Sequence, residues 1–367
     1  MFTTMPHIDD GDGDTEWITK GQNAKEKVFN TPGYPARTPK PRPDLYEVRS
    51  TPDMGQGVFA KRNIKCGELI FSERPLLVAP TWLGGGTRTG DVARKFAKYT
   101  PDQVRQVLIF EFEKVLDTAV QRMGEKGKAS FMSLFNSHTA DGSGPLFGIM
   151  RTNSFGCNEL SDDGPFIYGG VCNIASRINH RYVPISHMNC KASYAVHSCM
   201  PNVNVKFKAT SFSFQFSAVR NIKAGEQLFC SYCGLDRTKA ERQTDLAPYG
   251  FSCSCPACIN ATPGTDNLRK IFTEQVTRLR AWTSVMNKEW GDDILPSALL
   301  LESEMVAEGL ESEVSFFNLL FVIFVSVKRL GRRAEEARYK KRLEEHYYLL
   351  YNDKPFQTWL SDGAVDS

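Results

Sequence analysis

Long uninterrupted apolar runs are missing from this 367-residue chain. None follows Met1, which argues against a secretory leader. The longest apolar stretch, residues 314–327, is broken by Ser315, Asn318 and Ser326. It is too short to span a bilayer and reads as a buried helix, so no membrane association is expected. Charge of one sign is not in excess either. The net charge is +3, spread along the chain without a concentrated Lys/Arg face, so no direct nucleic-acid contact is expected. Cysteine is absent between Cys66 and Cys157, although the chain has ten. An unsecreted chain rarely builds a disulfide framework. Crowding of Cys253, Cys255 and Cys258 in a reducing compartment points to metal instead.

Residues 1–43 are poor in apolar side chains and carry Pro32, Pro35, Pro39, Pro41 and Pro43. That composition predicts disorder, with order beginning near Tyr46. A mixed α+β domain of short strands is expected over 44–260. Gly55-Gln56-Gly57 is a tight turn before the strand Val58-Phe59-Ala60, and Lys65-Cys66-Gly67 turns into a second strand. The string Arg62-Asn63-Ile64-Lys65-Cys66-Gly67-Glu68 recurs as Arg220-Asn221-Ile222-Lys223-Ala224-Gly225-Glu226. Two similar hairpin corners at the two ends of one small β-domain are expected from it.

A helical insertion is expected over 81–150. Thr100-Pro101-Asp102-Gln103 is a capping box with proline at the first helical position, and Val104, Val107, Leu108 and Phe112 follow helical spacing. Val203, Val205 and Phe207 alternate as in a strand, as do Phe212, Phe214 and Phe216. Residues 265–367 read as helical. Leu330-Gly331 separates two segments there, a weak match to a tetratricopeptide-type hairpin.

The sharpest chemical signal is Cys253-Ser-Cys255-Pro-Ala-Cys258. Thiolates at this spacing can grip one face of a tetrahedral zinc and leave a fourth position for a ligand from elsewhere. Cys230-Ser-Tyr-Cys233 is no such chelate. Residues 227–233 read as a strand, where positions three apart face opposite ways.

Several strings occur in a telling order: Gly55-Gln56-Gly57, Asn153-Ser154-Phe155, Asn179-His180, Ser198-Cys199-Met200-Pro201-Asn202, Ser231-Tyr232 and the three crowded cysteines. As a set, covering roughly 46–260, they resemble SET-domain lysine methyltransferases of the SMYD-like branch. The resemblance implies a SET-domain β-fold with a threaded pseudoknot, a zinc-binding post-SET segment and a helical C-terminal domain. It implies methyl transfer from S-adenosylmethionine to a lysine side chain of a protein substrate, a histone tail or a non-histone protein, by a monomer acting in nucleus or cytoplasm.

Carried over residue by residue, the resemblance gives Gln56, Gly57, Val58, Asn153, Asn179 and His180 to the cofactor. It sets Tyr232 beside the transferring methyl, and makes Tyr249 and Phe251 walls of the lysine channel and adenine site. It makes Cys199 the fourth zinc ligand with Cys253, Cys255 and Cys258. The alternative is a catalytically silent SET module that serves as a protein-interaction scaffold. The branch's MYND finger has no counterpart, since its place holds no cysteine.

The family's Asn-His-Ser-Cys-x-Pro-Asn motif is contiguous, whereas 17 residues, 181–197, separate His180 from Ser198 here. His180-Arg181-Tyr182-Val183 can be encoded around AG|GTACGT, a splice-donor-like string, and Val196-His197-Ser198 around an acceptor-like AG|C. The segment reads as translated intron; as a genuine loop it would set His197 in competition with His180. Transcripts are expected to join the His180 codon to a serine codon followed by that of Cys199. Sequenced messenger RNA dominated by the long form would refute this.

Overall fold

The computed structural model describes the chain except for residues 20–21, 52–54, 82–97, 161–167, 179–197, 250–251, 286–290, 352–354 and 364–367. Asn179, His180, the 181–197 segment and Phe251 therefore lie outside the described residues.

The chain begins in regular structure, contrary to the disorder expected of residues 1–43. Strands β1 (Phe2–Met5) and β2 (Thr15–Ile18) pair antiparallel, and a helix follows at Asn23–Phe29. The reason is placement rather than composition. The segment has few apolar residues, but Met5, Trp17 and Val28 are all fully buried. Trp17 packs on Tyr168 and Phe212 at 5.9 and 5.1 Å between ring centroids. Buried Glu16 accepts hydrogen bonds from Thr4 Oγ1 and Arg122 Nε, each 2.6 Å.

The remaining described strands are β3 (Tyr46–Ser50), β4 (Gln56–Ala60), β5 (Leu69–Glu73), β6 (Leu77–Pro80), β7 (Ser154–Gly156), β8 (Tyr168–Val171), β9 (Val203–Lys208) and β10 (Ser213–Ala218). They form sheets in the orders β1-β2-β6-β8-β7, β5-β10-β9 and β3-β4. The alternating phenylalanines of β10 enter the core at Phe214 and Phe216, and Phe71 stacks on Phe216 at 4.4 Å.

The two repeated corners do not stand at opposite ends. They face each other. Ile64 bridges Ile222, Cys66 N donates to Asn221 Oδ1, and Ala224 N donates to Asn63 Oδ1. Within each copy the glutamate accepts from the backbone N–H three residues before it and pairs with the arginine, Glu68 with Arg62 and Glu226 with Arg220. Each copy turns on a glycine of positive φ, 78° at Gly67 and 80° at Gly225, where any other residue would be strained. The repeat is thus a reciprocal clamp, each copy satisfying the other's turn.

Beyond the second corner, residues 227–233 are not a regular strand as expected. Gln227 bridges Phe59, and then the chain runs extended. Leu228 N donates to Val58 O, while Asn202 N and Val203 N both donate to Phe229 O. Asn202 also closes its carboxamide on this segment, Nδ2 to Gln227 O at 2.8 Å and Oδ1 from Phe229 N at 2.7 Å. The segment is threaded between β4 and the Cys199 loop. Cys230 ends in the main core, and Cys233 packs beside the other cysteines. The two face different clusters, although no regular strand separates them.

The insertion contains helices Pro101–Arg122, Glu125–Met132 and Pro145–Asn153. Thr100 and Gln103 form the expected reciprocal cap. The buried face of the first helix runs through Ile109, Leu116, Ala119 and Val120, whereas Val107 is exposed. Four apolar residues in its first turns fixed the helical period but not which edge of the stripe meets the core.

The C-terminal helices are Pro263–Val285, Gly291–Ala307, Val314–Arg329, Arg333–Leu350 and Phe356–Gly363. Val314–Arg329 is their centre, its apolar run buried on nearly every side. No helix of the described residues is long and apolar enough to cross a membrane. Gly331, at φ 68°, turns the chain after Leu330 into the next helix.

Trp17→Ala is expected to destabilise the protein by roughly 3–5 kcal/mol, read as a lower urea midpoint. Trp17→Phe should cost less, because the buried indole N–H finds no partner among the described residues. A silent Trp17→Ala would mean the N-terminal strands are dispensable.

Candidate active site and metal centre

Four thiols converge from two distant stretches of sequence. The sulfurs of Cys199, Cys253, Cys255 and Cys258 all lie within 4.8 Å of one another, and all four residues are buried. Cys199 Sγ stands 3.5 Å from Cys258 Sγ and 4.0 Å from Cys253 Sγ. Tetrahedral bonds of about 2.3 Å from sulfur to zinc would set sulfurs roughly 3.8 Å apart, so the spacing fits that ion. Cysteines 253, 255 and 258 reach one point because the chain is extended to Cys255 and then turns into a short helix, Pro256–Ile259.

A capping box built by Thr238 and Glu241 starts the helix Lys239–Leu246, which carries Arg242 and Gln243 against the thiols. Gln243 brackets Cys253, its Oε1 accepting from Cys253 N and its Nε2 donating to Cys253 O, both at 3.1 Å. Arg242 Nε lies 3.1 Å from Cys199 Sγ. Hydrogen bonds from Cys199, Cys253 and Cys255, and then from Arg242, hold Cys258 far below the usual thiol range. Cys255 is drawn down to about 6, by the Cys199 hydrogen bond first. Cys199 is shifted the other way, well above the usual thiol range, by hydrogen bonds of which that with Cys233 comes first, and Cys253 is raised as well, the lowering by its bond with Cys199 outweighed by its bonds with Cys255 and Cys258.

The C-terminal helices grip the same loop from behind. Fully buried Arg269 donates to Cys199 O at 3.2 Å, to Leu235 O at 2.9 Å, and pairs with Glu308 at 2.9 Å. Gly309, at φ 69°, passes so close to Met200 that a Cβ there would lie 2.5 Å from Met200 Cβ.

Tyr232 and Tyr249, 17 positions apart in sequence, lie side by side with ring centroids 5.8 Å apart. Tyr232 also meets the edge of Phe155 at 6.0 Å. Burial raises the pKa of both phenols above the ordinary value, that of Tyr232 by far. Both therefore remain neutral through the physiological range.

Of the residues expected to hold the cofactor, Gln56 is exposed at the start of β4, Gly57 is buried beside it, and Val58 points into the core. Only the backbone of Val58 can serve a ligand. Asn153 ends the helix Pro145–Asn153 buried, its Nδ2 donating to Phe135 O and Ile149 O at 2.7 Å each.

Several neighbours had no signal in the sequence. Glu73 accepts from the backbone N–H groups of Asn173, Ile174 and Ala175 at 2.8 Å each, which shapes the turn leading toward Asn179. Arg177 on that turn donates Nε to Gln56 Oε1 at 2.7 Å and so ties the Gly-x-Gly turn to it. His138 packs near Tyr249, 6.5 Å between rings, and bonds Asp141 at 2.8 Å. The Thr238-Lys-Ala-Glu241 cap was readable from sequence; that its helix would turn Arg242 toward sulfur was not.

Residues 55–233 match the family described as SET domain. That span of the chain is a SET domain. Among curated relatives it is 28% identical over 216 residues to "Histone-lysine N-methyltransferase set5" of Schizosaccharomyces pombe, covering 59% of this chain and 50% of that protein. It is 37% identical over 67 residues to "Protein-lysine N-trimethyltransferase SMYD5" of Mus musculus, covering 17% of this chain and 16% of that one. A "Putative SET domain-containing protein L678" of Acanthamoeba polyphaga mimivirus is 25% identical over 230 residues, covering 62% and 80%. The chain spans about half the length of the first of these.

Zinc-loaded protein is expected to hold one ion per chain by elemental analysis. Cys255→Ser should lose it and lower the unfolding midpoint by on the order of 10 °C, since each kcal/mol moves a domain of this size by roughly 2–4 °C. Metal-free protein with an unchanged midpoint would dismiss the metal centre.

Proposed function

We propose that the protein transfers a methyl group from S-adenosylmethionine to a lysine side chain of a protein substrate, histone or non-histone. The observation that carries this reading is the pairing of Tyr232, at the end of the SET-domain span, with Tyr249 beside a cluster of four buried thiols. Activity in the nucleus, as the histone-directed names of its relatives suggest, or in the cytoplasm, and a monomeric state without nucleic acid, belong to the same proposal.

When bound, S-adenosylmethionine supplies an electrophilic methyl on a sulfonium. The residues fitted to receive it are Gln56 and the backbone of Gly57 and Val58, with Asn153, Asn179, His180 and Phe251 by resemblance. The protein's own task is to present a neutral amine. Free lysine titrates near 10.4 and is mostly charged at neutral pH. Aromatic walls offer an ammonium less solvation than water does and so favour the amine. Tyr232 and Tyr249 form such a wall, with Phe155 behind.

Burial raises both pKa values, so both phenols rest protonated at neutral pH. Their hydroxyls donate or accept hydrogen bonds and orient, and the amine proton leaves to water. Orientation of this kind contributes to the barrier without needing tighter ground-state binding. Zinc, held by Cys199, Cys253, Cys255 and Cys258, has a structural part. It fixes the segment that carries Tyr249 against Tyr232.

Tyr232→Phe is expected to lower kcat by about 10²-fold or more while calorimetric affinity for S-adenosylmethionine stays nearly unchanged. The rate of both proteins should rise with pH along one ascending limb at the same position, because the titrating group is the substrate amine. Equal kcat in the two proteins would remove Tyr232 from the reaction. Loss of the limb in the variant would instead make Tyr232 the base.

A further inference from the structure

Arg242 is wholly buried, yet its ion pair with Asp266 is long, 4.0 Å. Its guanidinium is spent on sulfur and carbonyl oxygen. Nε donates to Cys199 Sγ at 3.1 Å, and Nη2 to Ala257 O at 3.3 Å and Cys258 Sγ at 3.6 Å. Nη1 donates to Arg237 O at 2.6 Å. Burying a cation costs several kcal/mol unless an anion compensates. The groups that face its guanidinium closely are the Cys199 and Cys258 sulfurs, with the Asp266 carboxylate farther off. The arrangement is therefore reciprocal: the cation needs thiolate, and thiolate gains from the cation.

A divalent ion held by four thiolates carries a net charge of about −2, which is costly in a buried site. One guanidinium halves that charge. We propose that Arg242 is a positioning residue of the metal centre, whose buried charge on Cys199 and Cys258 sets how tightly the ion is held. The inference rests on the zinc reading above. A purely mechanical role is the competing account, because the bonds to Arg237 O and Ala257 O also tie the helix Lys239–Leu246 to its surroundings. Lysine separates the two: it keeps the charge but cannot reproduce the fork of donors.

The test uses full-length zinc-loaded protein titrated with a chromophoric chelator, for the parent and for Arg242→Gln, Arg242→Met and Arg242→Lys. Arg278→Gln, which removes an exposed ion pair with Glu274, is the control. Zinc affinity should fall about 10–100-fold in Arg242→Gln and Arg242→Met, recover most of that loss in Arg242→Lys, and hold in the control. Cobalt-substituted Arg242→Gln should keep its thiolate charge-transfer bands at shifted energy, since four thiolates remain. Zinc held as tightly by Arg242→Gln as by the parent overturns the proposal, as does Arg242→Lys losing as much as Arg242→Gln. If Arg242→Gln does not fold, Arg242→Lys decides: near-parental affinity supports the role, and loss comparable to Cys255→Ser overturns it. A parent that binds no zinc would sink the metal reading itself, whereas a zinc-bound parent with an indifferent Arg242→Gln sinks only this inference.

Discussion

The convergence of Cys199 on Cys253, Cys255 and Cys258 is the constraint around which the site is arranged. It joins a loop after the strand core to a segment more than fifty residues later, with sulfurs as close as 3.5 Å. Four buried thiols at such spacing, with no disulfide among the described residues, fit the ligand set of a zinc ion. Through Cys199 the cluster holds Asn202, which clamps the threaded 227–229 segment. Through Cys253 it fixes the chain a few residues after Tyr249. Tyr232 leaves the threaded segment and Tyr249 approaches the cluster, so one closure sets both tyrosines.

The threaded segment also depends on the two repeated corners. Neither turn satisfies its own backbone alone. Each asparagine accepts the other's N–H, and each glutamate caps its own turn. Burying a turn without these partners would leave donors unsatisfied at roughly 1–3 kcal/mol each. The first corner in turn meets the C-terminal helices, where a Cβ on Gly67 would approach Glu345 O at 3.0 Å. With Arg269 and Gly309 gripping the Cys199 loop, the helical domain is a buttress of the site rather than an appendage. A change in its packing has a short path to the thiols.

Much of the site was legible because its signals are local. A Cys-x-Cys-x2-Cys string encodes a chelate within six residues, and a Thr-x-x-Gln string encodes a helix start within four. The order of motifs supplied the family and, through it, Cys199, Tyr232 and Tyr249. Where the reading missed, a long-range partner had decided. Residues 1–43 read as disordered because their few apolar residues were averaged away. Trp17 is ordered by Tyr168 and Phe212, about two hundred positions off in the second case, and Glu16 by Arg122.

The sequence by itself determined the helical and extended periods, the capped helix starts, the glycine turns and the three-thiol chelate. Each is signalled by residues a few positions apart, although distant partners complete the paired turns and the chelate. Only the tertiary structure decided that the repeated corners face each other, that the N-terminal strands join the central sheet, and that Arg242 and Arg269 bracket Cys199. Those outcomes depend on which surfaces meet after the chain closes, and a buried charge shows its purpose only beside the sulfur or carboxylate that offsets its desolvation.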